Sequence, residues 1–228
     1  MQLNLVEKLM LLATDDHSGK SASGASYLNY SMAGACILAL SLHDRVNVDG
    51  KKLVVTSSEK VGNKVLDAVL AMIVEGSQSR TRTINHWINR LSSKYGQIKS
   101  SIISDLIDKR ILEEKEGKIL WFIPTVQYPA VNSKPENEVR YRLKDIVLNQ
   151  AKPSPEEAML LSLVSVSGLI REVFGKAQSQ RSIKKRIDAL AEDEEIHKAV
   201  SATVKQVQAA VTMMLTTATI AATASASS

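Results

Sequence analysis

The chain has 228 residues, 44% of them apolar and 23% charged, the balance of a soluble globular protein long enough to bury a substantial core. Lys plus Arg outnumber Asp plus Glu by 29 to 24, a net charge of +5, and the single cysteine, Cys36, excludes an intrachain disulfide scaffold and a cysteine-built zinc site. The histidines His17, His43, His86 and His197 are scattered without metal-ligand spacing, so neither a metal nor a cofactor is expected.

Leu3, Leu5, Val6, Leu9, Met10 and Leu12 recur at helical spacing and predict a helix over 3–14. Glu7 and Lys8 inside this run argue against a signal peptide. Residues 15–20 follow with turn chemistry, and Gly19-Lys20-Ser21 lacks the upstream glycine of a phosphate loop. The stretch Tyr27–Leu42 is uncharged and rich in small residues; such a segment forms a helix buried on most sides, the expected centre of the core. Alternation around Asp49-Gly50 predicts a hairpin over 45–55. Helices are expected near 62–75, 81–95 and 97–109. A second hairpin is expected over 111–122, with Glu116-Gly117-Lys118 as its turn. The stretch 124–135, with Pro124, Pro129 and Pro135, is the best candidate linker. Further helices are expected near 136–150, 155–174, 179–191 and 193–221. Ser154, Pro155, Glu156 and Glu157 form a strong start signal for the second of these. Residues 206–228 carry no charge, but glutamines and threonines interrupt them, so a packed terminal helix is favoured over a membrane span. Residues 222–228 read as a frayed tail. The expected fold is mainly α: a single helical domain over 1–221, with a central buried helix, surrounding amphipathic helices and small β-hairpins.

The positive charge is not spread evenly. Arg80, Arg82, Arg90, Lys94, Lys99, Lys109 and Arg110 stand against only Asp105 and Asp108 between positions 80 and 110, so this stretch accounts for the net charge of the whole chain. Its natural partners are phosphates of an anionic membrane or of a nucleic acid. Helix, helix and hairpin in this order also describe the end of a winged-helix module. The second helix would then offer one cation in its first turns, with Asp105 and Asp108 toward phosphate, so nucleic acid is the alternative partner. The cations at 181–186 alternate with Ile183 and Ile187 and read as the solvated face of an amphipathic helix. Asp15 and Asp16 have no nearby His or Cys, and there is no nucleophile elbow, so no catalytic residue is proposed.

Several short segments keep a recognisable order. Glu7-Lys8-Leu9-Met10-Leu11-Leu12 comes first, then Ala33-Gly34-Ala35-Cys36-Ile37-Leu38 and Leu66-Asp67. Thr83-Ile84-Asn85-His86-Trp87-Ile88, Leu106-Ile107-Asp108-Lys109-Arg110-Ile111-Leu112 and Tyr128-Pro129 follow. In this order they resemble the Golgi phosphoprotein 3 family, from about Leu3 to about Val204. The resemblance implies a non-enzymatic protein that binds the membrane peripherally. Eukaryotic members bind phosphatidylinositol 4-phosphate and grip the cytosolic tails of glycosyltransferases. Their lipid-site positions fall here at Gly24, Ala33, Gly96 and Lys99, of which only Lys99 is a cation. These departures suggest a prokaryotic member, cytoplasmic and peripherally membrane-associated, with a Golgi location only in a eukaryote. The expected lipid-binding residues are Lys99, Lys94 and Arg90. The expected membrane-contact or self-association strand is Ile119, Leu120, Trp121 and Phe122, with Trp121 as an interfacial anchor. A protein–protein scaffold without lipid is the remaining reading.

Overall fold

The computed structural model describes residues 2–14, 28–119, 123–175, 178–192 and 205–214. Helices dominate: α1 (Leu5–Leu12), α2 (Leu28–Leu42), α3 (Lys64–Ser77), α4 (Ile84–Ser92), α5 (Tyr95–Asp108), α6 (Lys134–Asn149), α7 (Pro155–Val166), α8 (Ile170–Phe174), α9 (Gln180–Glu192) and α10 (205–214). Strands β1 (Val46–Asp49), β2 (Lys52–Val55) and β3 (Arg82–Thr83) form one antiparallel sheet in that order. Strands β4 (Lys115–Ile119) and β5 (Ile123–Gln127) form another.

Helix α2 has no polar face. Leu28 and every residue from Ser31 to Leu40 are buried, and α1, α3, α4, α5, α7 and β1 pack around it. Small residues make this enclosure possible. A Cβ at Gly34 would lie 2.8 Å from Val211 Cγ2 and 3.2 Å from Val207 Cγ1, so the glycine is what lets α10 approach α2 this closely. Gly76 on α3 does the same for the indole of Trp87, which is fully buried. Cys36 lies within this core, where burial pushes its thiol pKa up to about 12, so it is an inert packing residue.

Local signals decide most helix ends. Ser154 Oγ accepts the Glu157 N–H while the Glu157 carboxylate accepts the Ser154 N–H, a reciprocal cap at the start of α7. Burial alone would raise the Glu157 carboxyl. Hydrogen bonds from Arg142 and Ser154 outweigh it and hold the group below the usual carboxylate range. The helix expected over 155–174 is two helices, because Gly168 takes φ +74° just past the end of α7 and turns the chain into α8. The helix expected over 81–95 starts later: Arg82 and Thr83 pair with Leu53 and Lys52, and Thr83 Oγ1 then accepts the His86 N–H to cap α4. Of the helix expected over 193–221, only 205–214 is described, and it is helical.

Two further expectations are corrected. Glu116-Gly117-Lys118 is not a turn but the middle of β4, paired with Val126, Thr125 and Pro124. The hairpin is anchored at its base, by a Leu112↔Ala130 bridge and by hydrogen bonds between Glu113 and Pro129 and between Val131 and Ile111. One register runs from that base to Ile119↔Ile123, which overrides the local turn propensity of Gly117. Ile119 therefore ends a strand instead of opening one, and Leu120, Trp121 and Phe122 lie outside the described residues. Nor is 124–135 a linker: it supplies β5, the bridge at Ala130 and the start of α6. Its Pro124 is tolerated because both strands of a two-stranded sheet are edges.

Gly76→Ala tests the Trp87 contact. The new methyl would lie 2.6 Å from Trp87 Cη2, and a fully buried indole has little room to move. The helix-propensity gain of about 1 kcal/mol is outweighed by overpacking of about 1–3 kcal/mol. Thermal denaturation should show a lower Tm than for Ser104→Ala, a control at an exposed position of α5.

Candidate basic face of α4 and α5

The cations between 80 and 110 divide into two kinds. Lys109 is structural. Its ammonium lies 2.7 Å from both carboxylate oxygens of Glu7, which is only 1% exposed. Glu7 also caps α1, accepting the Asn4 N–H while Asn4 Oδ1 accepts the Glu7 N–H. Lys109 thus ties the end of α5 to the start of α1 and is not available to a ligand.

The acids of this stretch are also committed. Asp105 is buried and accepts a hydrogen bond from Asn63 Nδ2 at 3.2 Å, which helps hold the capping residue of α3. Asp108 pairs with Lys64 at 3.3 Å. Asp105 therefore does not face outward, as the winged-helix comparison would have it. The outward side of α5 carries Gln97, Ser100, Ser101, Ser104 and Asp108, with Lys99 half-buried beside them.

Arg80, Arg82, Arg90, Lys94, Lys99 and Arg110 make no ion pair with any carboxylate among the described residues. Lys94 is exposed at the start of α5, and Lys99 lies one to two turns further on. Arg90 belongs to a different group. Its guanidinium carbon lies 5.9 Å from the centre of the Trp87 ring, and His86 meets the same indole edge-on at 5.3 Å. Burial, then Arg82, Arg90 and Arg80, hold the His86 pKa below its ordinary value. The expected trio of Lys94, Lys99 and Arg90 is therefore spread over two helices, and Arg90 sits with Arg80 and Arg82 around His86. Arg80 and Arg82 were missed as site residues because nothing in their spacing showed which cations would keep carboxylate partners.

The positions carried over from the resemblance are equally informative. Ala33 is fully buried in α2, so no surface group can stand there without rebuilding the core. Gly96 is exposed on α5, and a Cβ there would touch nothing within 4 Å. Gly24 lies outside the described residues. The basic stretch at 181–186 is as expected: Ile183 and Ile187 are buried, and the neighbouring Arg181, Lys184 and Lys185 are exposed. Among the described residues no group of His, Cys, Asp and Glu could hold a metal, and no helix is long and apolar enough to cross a membrane.

Lys109→Met should be costly, because it strands a buried carboxylate. A loss of about 3–5 kcal/mol in urea denaturation is expected, with partial recovery in the Glu7→Gln/Lys109→Met double variant, whose buried group is neutral. A loss below about 1 kcal/mol would reduce this pair to an ordinary surface contact.

No curated protein matches the chain. The model of one family, Golgi phosphoprotein 3 (GPP34), matches residues 5–210, which takes in α1, the basic face, the hairpin and most of α10. The chain belongs to the Golgi phosphoprotein 3 family.

Proposed function

We propose that this chain is a non-enzymatic, peripheral membrane-binding protein that engages anionic phospholipid headgroups through the cations at the start of α5, together with the β4–β5 hairpin that follows the helix. The observation that carries this reading is the placement of Lys94 and Lys99. Neither has a carboxylate partner among the described residues, and both lie on the helix that leads directly into the hairpin. A lysine is a strongly hydrated point charge that attracts an anionic surface without the fixed fork of a guanidinium. Two lysines favour attraction to negative charge in general over selection of one headgroup. Juxtamembrane cations of this kind contribute about 1 kcal/mol each near an anionic surface, so affinity is modest and falls with salt. The short apolar run Ile119, Leu120, Trp121 and Phe122, centred on the sequence between the paired Ile119 and Ile123, would add an interfacial anchor. The same run is a candidate for self-association, and cytosolic tails of membrane proteins are candidate partners.

The nucleic-acid reading has less support. β3 precedes α4 and pairs with β2, whereas the hairpin forms its own sheet, so helix, helix and wing do not share one sheet. The outward face of α5 is mostly Gln and Ser, too few cations for the several phosphate contacts that duplex binding requires.

Co-sedimentation with vesicles containing an anionic phospholipid tests the proposal. Binding should exceed that to neutral vesicles and weaken from low to physiological salt, and Lys99→Glu should reduce it several-fold. Gly96→Arg is the complementary variant. It places a guanidinium at an open helical position, where the family resemblance has an arginine, and removes the helix cost of glycine, about 0.8–1 kcal/mol. It should bind anionic vesicles more tightly without loss of Tm. Equal binding of the wild type to neutral and anionic vesicles at low salt would overturn the proposal.

A further inference from the structure

Three arginines are held by carboxylates and carbonyls of the protein. Arg140 bonds Glu136 and the Glu172 carbonyl, Arg142 bonds Glu157 and the Lys152 carbonyl, and Arg45 bonds Glu59 and the His43 carbonyl. At the β3–α4 junction the pattern reverses. Arg80, Arg82 and Arg90 act together on His86, and no carboxylate acts on it. Gathering like charges without counter-ions opposes folding, so the arrangement is explained if a ligand supplies the missing negative charge.

Three observations describe the arrangement. His86 and Arg90 lie four residues apart on α4 and so share one face, and Arg80 and Arg82 lie on the chain that leads into that helix, Arg82 in β3. Arg90 is held over the Trp87 ring, and that ring is itself fixed in the core against Gly76, so this guanidinium is pre-positioned. Arg82 pairs across the sheet with the fully buried Leu53; its Nε is buried, and no acceptor among the described residues reaches it. A buried donor without an acceptor is costly and calls for a partner. The other charges nearby are Lys51, exposed, with its carbonyl accepting the Ile84 N–H, Lys52, exposed and paired in register with Thr83, and Asp49, exposed and paired in register with Lys52. From α3, Glu75 flanks the glycine that meets Trp87.

We propose that Arg80, Arg82, His86 and Arg90 form an anion site that takes a terminal phosphate monoester. Such a group carries close to two negative charges and three acceptor oxygens, which suit guanidinium donors that have no carboxylate partner. A duplex backbone asks instead for a long stripe of cations, which two turns of one helix do not provide. This site is separate from the lysines of α5, and it stands whether or not those lysines bind membranes. His86 gives it a titratable member. In the free protein, burial and the arginines favour the neutral imidazole. A bound dianion reverses the local potential and favours the imidazolium. By reciprocity the anion then binds more tightly as pH falls through the range where His86 takes up its proton.

The test is NMR titration of the His86 ring with three probes: glycerol 3-phosphate, inorganic sulfate and vesicles containing phosphatidic acid. Glycerol 3-phosphate should move the His86 titration to higher pH, and its affinity should rise about fivefold or more from pH 8 to pH 6.5. Sulfate keeps its charge throughout this range and should show the same direction, which separates His86 from the titration of phosphate itself. Arg90→Gln and the exposed Arg80→Gln should each weaken binding about tenfold, and His86→Gln should bind at pH 8 but lose the pH dependence. A response to both the soluble phosphate and the vesicles would show that the phosphate alone suffices. A response to the vesicles alone, still lost in Arg80→Gln, would place the phosphate on a lipid. No movement of His86 with either, or equal movement with a duplex DNA that has no terminal phosphate, overturns the proposal. Vesicle binding that survives Arg80→Gln and Arg90→Gln but fails in Lys99→Glu would overturn this site while leaving the α5 lysines intact as a membrane contact.

Discussion

Everything in this fold follows from the need to enclose α2. A helix that buries residues from Ser31 to Leu40 has no side left for water, so other elements must cover it all round. α1, α3, α4, α5, α7 and α10 do so, with α1 and the middle of α7 themselves buried on most sides. The enclosure also sets the distances. Gly34 and Gly76 are needed where a helix or an indole comes too close for a Cβ. The shell in turn sets what faces outward: α4 and α5 present inward faces of Ile84, Trp87, Ile88, Ile98 and Ile102, and this leaves Arg90 and Lys94 outside.

The charge of the basic stretch has to be read through the same geometry. Its seven cations and two acids are a sum, and sums do not bind ligands. Lys109 is consumed by Glu7, while Asp105 is buried and hydrogen-bonded to Asn63, and Asp108 pairs with Lys64 from outside the stretch. Lys109 and Asp105 thus leave the surface balance together, and the remaining cations of the stretch stand outside against Asp108 alone. A buried ion pair such as Glu7–Lys109 costs desolvation and returns it only through close geometry. The two short contacts to the carboxylate oxygens and the cap at Asn4 supply that geometry. The pair also fixes which end of α5 meets α1, and so directs the beginning of that helix, with Lys94 and Lys99, away from the anchor.

The fold was largely legible because periodicity and caps are local. The uncharged stretch before position 42, the Asp49-Gly50 turn and the Ser154 cap each state their structure within a few residues. What failed did so where a distant partner decided. Gly117 reads as a turn until the bridge between Leu112 and Ala130 imposes its register, and Arg82-Thr83 reads as helix until β2 pairs with it. Gly168 is a different case: its signal was local, a glycine just after Ser167, but the apolar periodicity continued across it and hid the break. The site was less legible than the fold for the same reason. Lys99 was expected from the family resemblance, and Lys94 and Arg90 from their nearness to it in sequence, and neither ground can tell a paired cation from a free one.

That distinction bears on how a family member can keep its architecture while changing its ligand chemistry. The family match runs from α1 into α10, so the enclosed helix and its shell are common ground. The buried Ala33 makes one family cation position unusable here without rebuilding α2, whereas the exposed Gly96 leaves another open. Substitutions on the outward faces of α4 and α5 cost little stability, because those side chains touch the core only through their stems. Cations can therefore appear at Arg80 and Arg90 and be absent at 96 without disturbing the packing beneath. The enclosed core constrains where a charge cannot go; the short basic shell over Trp87 and along α5 is where this chain had freedom to place its own.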